Sequence, residues 1–202
     1  MEVNRRTQAD RSAATRTALI AAARPLFAEQ GFAAVGTETI VRAAGVTRGA
    51  LYHQFADKTE LFAAVVEAVE QDVMATIMRR LGEEAGSDPD PLDELARGAS
   101  AWLDACAEPA VQQILLIDAP SVLGWQRYRE IGTRYSVGVV EAVLKEAIRV
   151  GRIPEQPVTP LANILVGALD EGALLIARAP DQDTAREQVR DALQQLIGGL
   201  AK

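Results

Sequence analysis

The sequence predicts an all-α protein of about nine helices, and three observations carry that prediction. Ala, Leu, Glu, Gln and Arg dominate the chain, and runs that alternate β-branched or aromatic residues with polar ones are absent. Apolar residues recur at three- and four-residue steps, the spacing of one helix face. Gly and Pro stand between those stretches, where helices start and stop. With 202 residues, 49% hydrophobic and 24% charged, the chain can bury one sizeable core, or a small one followed by a larger one.

The first helix lies in "RSAATRTALIAAARPLFAEQG", where Leu19, Ile20, Ala23, Leu26 and Phe27 form a buried face. Pro25 bends that helix or tightens a turn within it, and Gly31 stops it. Thr37 can cap a short helix in "TETIVRAAG", which Gly45 ends, and Thr47 is the natural N-cap of a second, "TRGALYHQF". A long helix then starts at Asp57 and Glu60, whose spacing is close to a capping box, and runs through "LFAAVVEAVEQDVMATIMRRL". "GEEAGSDPDP" (82–91) is the clearest loop. Further helices are expected near 91–106 and 108–118, from roughly 121 to 150, within 157–180 and within 183–200. Leu161, Leu165, Ala168, Leu169, Gly172, Leu175 and Ile176 make a stripe on the first of the last two, and Val189, Leu193, Leu196, Ile197 and Leu200 make one on the second.

Charge is unevenly placed. Residues 1–60 hold eight Lys/Arg against six Asp/Glu, and the remainder holds thirteen against twenty-two, within a net charge of −7. A basic end on an acidic body meets a polyanion in one orientation, although plain solvated surface accounts for the same charges. The single cysteine, Cys106, cannot form an internal disulfide, the N-terminus "MEVNRRTQADRSAAT" has no apolar signal core, and no uninterrupted apolar run approaches the roughly 18 residues of a membrane span. A cytoplasmic protein with no membrane association is expected.

"TETIVRAAG" and "TRGALYHQF" together have the parts of a helix-turn-helix unit. Such a unit needs a tight turn, small residues at the helix crossing and a second helix free to enter the major groove. Gly45 can close the turn in the left-handed conformation, and Ala43 and Ala44 permit close approach. Val46, Leu51 and Phe55 can point inward. Thr47, Arg48, Gly49, Ala50, Tyr52, His53 and Gln54 are then left facing out or partly out.

On these residues, "TETIVRAAGVTRGALYHQFADKTELF" (37–62) resembles the DNA-binding signature of the TetR family of bacterial transcription regulators. That pattern runs Thr, an Ile-Ala-like pair, Ala-Gly-Val, a small polar residue, Gly, an aromatic-rich core, then Lys and Leu. Val41 stands where Ala is usual, and Gln54 follows His53 where many members place an aromatic. The resemblance implies a three-helix helix-turn-helix domain at 1–57 and a helical effector-binding and dimerisation domain at 58–202. It further implies a repressor that leaves a palindromic operator in double-stranded DNA when an apolar or aromatic small molecule binds. A helical dimeric interaction protein, or an activator without an effector, is the alternative.

Eight residues are candidates for DNA contact. Arg48 can read a guanine in bidentate fashion, worth about 1–3 kcal/mol, or clamp a phosphate. Thr47 is a cap, or a cap and a contact. Gly49 and Ala50 are small enough for the backbone to approach a phosphate. The resemblance makes Tyr52 a phosphate or thymine-methyl contact, where the residue alone could be half-core. It favours a phosphate contact for His53, otherwise an ordinary surface or half-buried histidine. Thr37 can join its helix amides in holding a phosphate. Lys58 opens a helix where an exposed cation opposes the dipole, which a phosphate partner would explain. Arg5, Arg6 and Arg11 fit either a minor-groove arm or simple solubility, and solubility is the plainer reading.

Catalysis finds little footing. One His and one Cys offer no zinc spacing, and neither a phosphate loop nor a Gly-x-Ser-x-Gly elbow occurs. Adjacent acids such as Asp170-Glu171 point apart on a helix. No enzyme, metal or cofactor is expected. The two C-terminal stripes suit a four-helix homodimer interface, with Gly167, Ala168, Gly172 and Ala173 permitting close packing, although part of each stripe must be core. Trp102, Cys106, Leu116, Trp125, Tyr128 and Tyr135 are the candidate lining of an effector pocket, with core the competing role for each.

Overall fold

A computed structural model describes residues 8–84 and 90–201, and every regular element among them is helical. Arg5, Arg6 and residues 85–89 of the expected loop lie outside the described residues. Nine helices result: α1 (Gln8–Ala34), α2 (Thr37–Ala44), α3 (Arg48–Gln54), α4 (Lys58–Glu84), α5 (Pro91–Cys106), α6 (109–123), α7 (Trp125–Arg149), α8 (Val158–Arg178) and α9 (Gln182–Gly198). The sixth is composite, with a π-helical stretch Gln112–Asp118 between the α-helical pieces Pro109–Val111 and Ala119–Leu123.

The N-terminal helices follow from local chemistry. Leu19, Ala23 and Phe27 bury one face of α1, which carries Pro25 inside it. The helical backbone is interrupted at Gly31 (φ 74°, ψ 161°), the residue expected to stop it. Phe27, Phe32 and Phe62 stack edge-on and tilted, with ring centroids 5.0–5.8 Å apart, and so tie α1 to the start of α4. Along α4, Leu61, Phe62, Val65, Val66, Val69, Val73, Ile77 and Leu81 are buried. Each side chain so removed from water contributes roughly 1.5–3 kcal/mol before entropy is counted. One apolar cluster runs from Leu19 through Phe62 and Val73 to Leu103, Ile114 and Leu193. The core is therefore continuous across the 57/58 position at which the functional division is expected.

Two C-terminal boundaries differ from expectation. The helices foreseen near 108–118 and 121–150 are in fact divided at Gly124, whose backbone (φ 75°, ψ 156°) is open to glycine and strained for other residues. Pro120, foreseen as a stop, lies instead inside the composite α6, in the α-helical piece directly after its π-helical stretch. Five helices, α4, α5, α7, α8 and α9, pack on one another to form the larger body.

The stripes on α8 and α9 split between inside and outside. A Cβ on Gly172 would meet Val189 Cγ1 at 2.7 Å, so this glycine sets the α8–α9 approach within the subunit. Ala173, Leu193 and Ile197 are also buried there, the part of each stripe that serves as core. Leu175 (55% exposed) and Leu196 (44%) face outward instead, as does Ile164 (64%), which lies outside the foreseen stripe. Among the described residues α8 is the one helix long and apolar enough to cross a membrane by length and composition, although Asp170 and Glu171 interrupt it.

Candidate functional site

The turn between α2 and α3 is built as the residues suggest. Gly45 adopts the left-handed conformation (φ 65°, ψ 29°), its N–H donates to Arg42 O, and Val46 N–H donates to Val41 O at 3.0 Å. Thr47 caps α3, its Oγ1 accepting the Ala50 N–H at 3.1 Å. That leaves the threonine hydroxyl proton free for an outside acceptor. At α2 the cap position falls on Gly36, and Thr37 becomes the first helical residue, because the backbone turns helical one position earlier than a threonine cap requires.

Leu51 is fully buried and Phe55 nearly so, which anchors α3 against the core and fixes which face looks out. Arg48 and Tyr52 are one turn apart on that outer face, as are Gly49 and His53. The Arg48 guanidinium lies 5.6 Å from the Tyr52 ring centroid and 3.8 Å from Glu38 Oε1, both contacts well exposed. Tyr52 is 44% exposed. No neighbouring group crowds the missing Cβ of Gly49, where only Thr47 Oγ1 comes as near as 3.9 Å. Nothing inside the fold demands glycine there. Ala50 is half-buried.

Two residues turn inward where exposure was foreseen. Gln54 Nε2 donates to Ser12 Oγ at 2.8 Å, so this side chain locks α3 to α1. Lys58 Nζ donates to Phe32 O at 2.9 Å and Val35 O at 3.0 Å and lies 4.0 Å from the Phe32 ring centroid. Its charge satisfies the carbonyls at the end of α1 and just beyond, so a phosphate is no longer needed to explain it. Lys58 thus stands apart from the α3 face that carries Arg48, Tyr52 and His53.

Polar ties connect this head to the larger body. Phe32 N–H donates to the Asp118 carboxylate at 2.7 Å, beside the Gly31 interruption. Arg127 on α7 grips Glu60 on α4 through two bonds of 2.5 and 2.8 Å, which hold the Glu60 carboxyl below its ordinary range. Arg24 on α1 likewise pairs with Asp72 on α4, while within the body Arg134 reaches Glu67 at 2.9 Å.

A cavity of about 80 Å³ lies among α4, α5, α7, α8 and α9. Its wall is mostly aliphatic, with Met74, Met78 and Trp102, and it includes the carboxylates Glu70, Glu94 and Asp170. Of the six foreseen pocket residues, Trp102 alone borders it. Cys106, Leu116 and Tyr128 are buried in the apolar core beside it, Tyr135 accepts a bond from Gln71 at 2.8 Å, and Trp125 is 69% exposed. Flexible aliphatics and methionines, rather than aromatics, make most of this wall. Burial raises the Cys106 thiol and Tyr128 phenol well above their ordinary range, so both stay neutral.

Two carboxylates border the cavity unexpectedly: Glu70, which the sequence did not single out, and Asp170, weighed only as one of a pair of adjacent acids. Asp170 pairs with Arg129 at 2.7 Å; burial pushes its carboxyl up to about 6 against that pairing. Glu70 is 5% exposed, and burial, reinforced by Asp170, pushes it up to about 8. A signal was present: Glu70 is a carboxylate on the otherwise apolar face formed by Phe62, Val66, Val69, Val73 and Ile77.

Comparison with known proteins places both halves. Residues 19–65 match the family described as "Bacterial regulatory proteins, tetR family", and residues 92–200 match "Tetracyclin repressor-like, C-terminal domain". The chain is 26% identical to the transposon Tn10 TetC protein of Escherichia coli, over 81% of each chain. A crystal structure of a TetR-family transcriptional regulator from Pectobacterium atrosepticum superposes with a TM-score of 0.82 at 33% identity, covering 97% of this chain and 98% of that one. RolR in complex with resorcinol shares the fold, with a TM-score of 0.76 at 21% identity over 95% of this chain and 91% of the other.

Proposed function

The chain belongs to the TetR family of bacterial transcription regulators, and on that premise we propose that it is a dimeric repressor released from a palindromic operator by a small molecule. It is a DNA-binding regulator with a helix-turn-helix head. The observation that carries the finer reading is the outer face of α3. Arg48, Gly49, Tyr52 and His53 stand free of the core while Leu51 and Phe55 hold the helix rigidly behind them. Arg48 reads a base edge, and the Thr47 hydroxyl, Tyr52, His53 and the backbone at Gly49 and Ala50 hold phosphates. Thr37 adds a phosphate contact at the first turn of α2.

One such head binds DNA weakly, and two tied together read a palindrome. The outward Ile164, Leu175 and Leu196 support dimerisation through α8 and α9, since large apolar side chains in one region of surface mark an interface. Residues 1–57 form the reading part and 58–202 the sensing and dimerising part. The C-terminal match to a tetracycline-repressor-like domain supports repression relieved by an effector in the cavity.

Release needs only that the effector prefers a dimer whose heads are wrongly spaced. A differential of about 3 kcal/mol lowers operator affinity roughly a hundredfold. α4 is the element able to carry that change, because it lines the cavity at Glu70, Met74 and Ile77 and enters the head at Lys58 and Phe62. Light scattering at micromolar protein should give a dimer mass, and log affinity for DNA should fall linearly with log salt. A monomer mass, or binding indifferent to salt, overturns the proposal.

A further inference from the structure

The cavity wall has a charge as well as a shape. Glu70, Glu94 and Asp170 border it, and no Lys, Arg or His does. Two of the carboxylates differ in how they are satisfied. Asp170 has the Arg129 guanidinium, itself outside the lining. Glu70 makes no hydrogen bond or ion pair with any of the described residues, although it is nine-tenths buried. A buried carboxylate without a partner is costly, and the usual remedies are a counter-ion or protonation. None of the described residues supplies a counter-ion, so without a ligand Glu70 keeps its proton.

Gly132 adjoins this carboxylate. A Cβ on Gly132 of α7 would stand 3.9 Å from Glu70 Oε1, and the glycine leaves that position empty. The indole of Trp102 and the thioethers of Met74 and Met78 border the same cavity, groups that tolerate or attract a soft cation. We propose that the effector is a cationic nitrogen compound on an apolar frame, an amine or ammonium ion, with the Glu70 carboxylate as its counter-ion. This rests on the reading of the cavity as the effector site.

The choice among ligand classes follows from the wall. An anion meets three carboxylates and is repelled. A neutral apolar ligand displaces whatever solvates Glu70 and returns no interaction. A phenol donates one hydrogen bond but leaves the carboxylate without a counter-ion. A cation alone stabilises the ionised form of Glu70, which releases its proton to solvent on binding, while its apolar frame contacts the aliphatic wall. At about 80 Å³ the cavity is smaller than the roughly 150 Å³ known to take benzene, so entry must push the walls apart. Met74 and Met78 are unbranched and move cheaply, and both sit on α4. Widening the cavity therefore displaces the helix that enters the reading head.

The test uses the full-length protein and pairs of probes matched in shape. Benzyltrimethylammonium and its carbon isostere neopentylbenzene, butylammonium and pentane, and phenol as a neutral donor are titrated against wild type and Glu70→Gln, with tryptophan fluorescence and release of bound DNA as readouts. In wild type the cations should bind at least about tenfold tighter than their isosteres and than phenol. Glu70→Gln should shrink that preference to about twofold while leaving the neutral probes unchanged. Should Glu70→Gln fail to fold, Gly132→Ala is the second variant, expected to weaken the cations more than the isosteres. Tighter binding of phenol or an isostere, or a cation preference that survives these variants, overturns the ligand class while leaving the cavity as an effector site. If no probe binds and none releases DNA, the effector reading falls with it.

Discussion

The α3 face and the α4–α9 cavity put charge to opposite uses. On α3, Arg48 is exposed and only loosely engaged by Glu38 and Tyr52, free to exchange those weak contacts for phosphate or base. In the cavity, Glu70 is almost wholly buried and has no partner among the described residues. The exposed cation costs the fold almost nothing, and its value appears only when DNA arrives. Ionising the buried carboxyl costs the apo fold free energy that a ligand cation can return. A reading surface can therefore be changed with little effect on stability, whereas a sensing cavity cannot be changed without affecting it.

Substitutions can break or sharpen that contrast. Leu51→Ala attacks the anchor rather than the surface and should cost roughly 2–5 kcal/mol of stability, seen as a lowered denaturation midpoint. Glu70→Gln works in the other direction. The carboxyl is pushed from an ordinary 4.5 to about 8 in the fold, so the folded state holds the proton more tightly. Its contribution is fully present below pH 4.5 and is lost as pH rises through about 8. Wild type should lose stability across that window relative to Glu70→Gln, by something on the order of 3 kcal/mol, measured by urea melts at a series of pH values.

Arg48→Ala should leave the melt unchanged but flatten base preference by about 1–3 kcal/mol at one position of each half-site, read by competition between operator variants. Lys58→Ala makes the sharper comparison. Its ammonium is engaged by Phe32 O and Val35 O, so this variant should lower stability as well as DNA affinity. An affinity loss without any stability loss would return Lys58 to the DNA-contacting set. The smallest effect is expected of Thr47→Ala, which loses a helix cap worth about 1 kcal/mol and shows as a slightly lower midpoint.

What the sequence made legible follows the same divide. The head could be read because its determinants are neighbours: the Gly45 turn, the Thr47 cap and the inward Leu51 and Phe55 fall within eleven consecutive residues. The bounds of α5, α8 and α9 were legible for the same local reason, through proline, glycine and aspartate at their ends. The cavity was not, because it takes its wall from five helices far apart in the chain, and no periodicity says that Glu70 and Asp170 approach one another. The inward turns of Gln54 and Lys58 were equally hidden, since their partners Ser12, Phe32 and Val35 belong to other elements. Gly172 could not be assigned to subunit or interface until Val189 was seen against it.

The most direct measurement is selection of fragments bound by the full-length protein from random DNA at fixed salt. A pair of dimerised α3 faces predicts enrichment of a palindrome whose two half-sites share one sequence, with enrichment at one position of each lost in Arg48→Ala. Recovery of no common sequence, or of a lone unpaired half-site indifferent to Arg48, would contradict it.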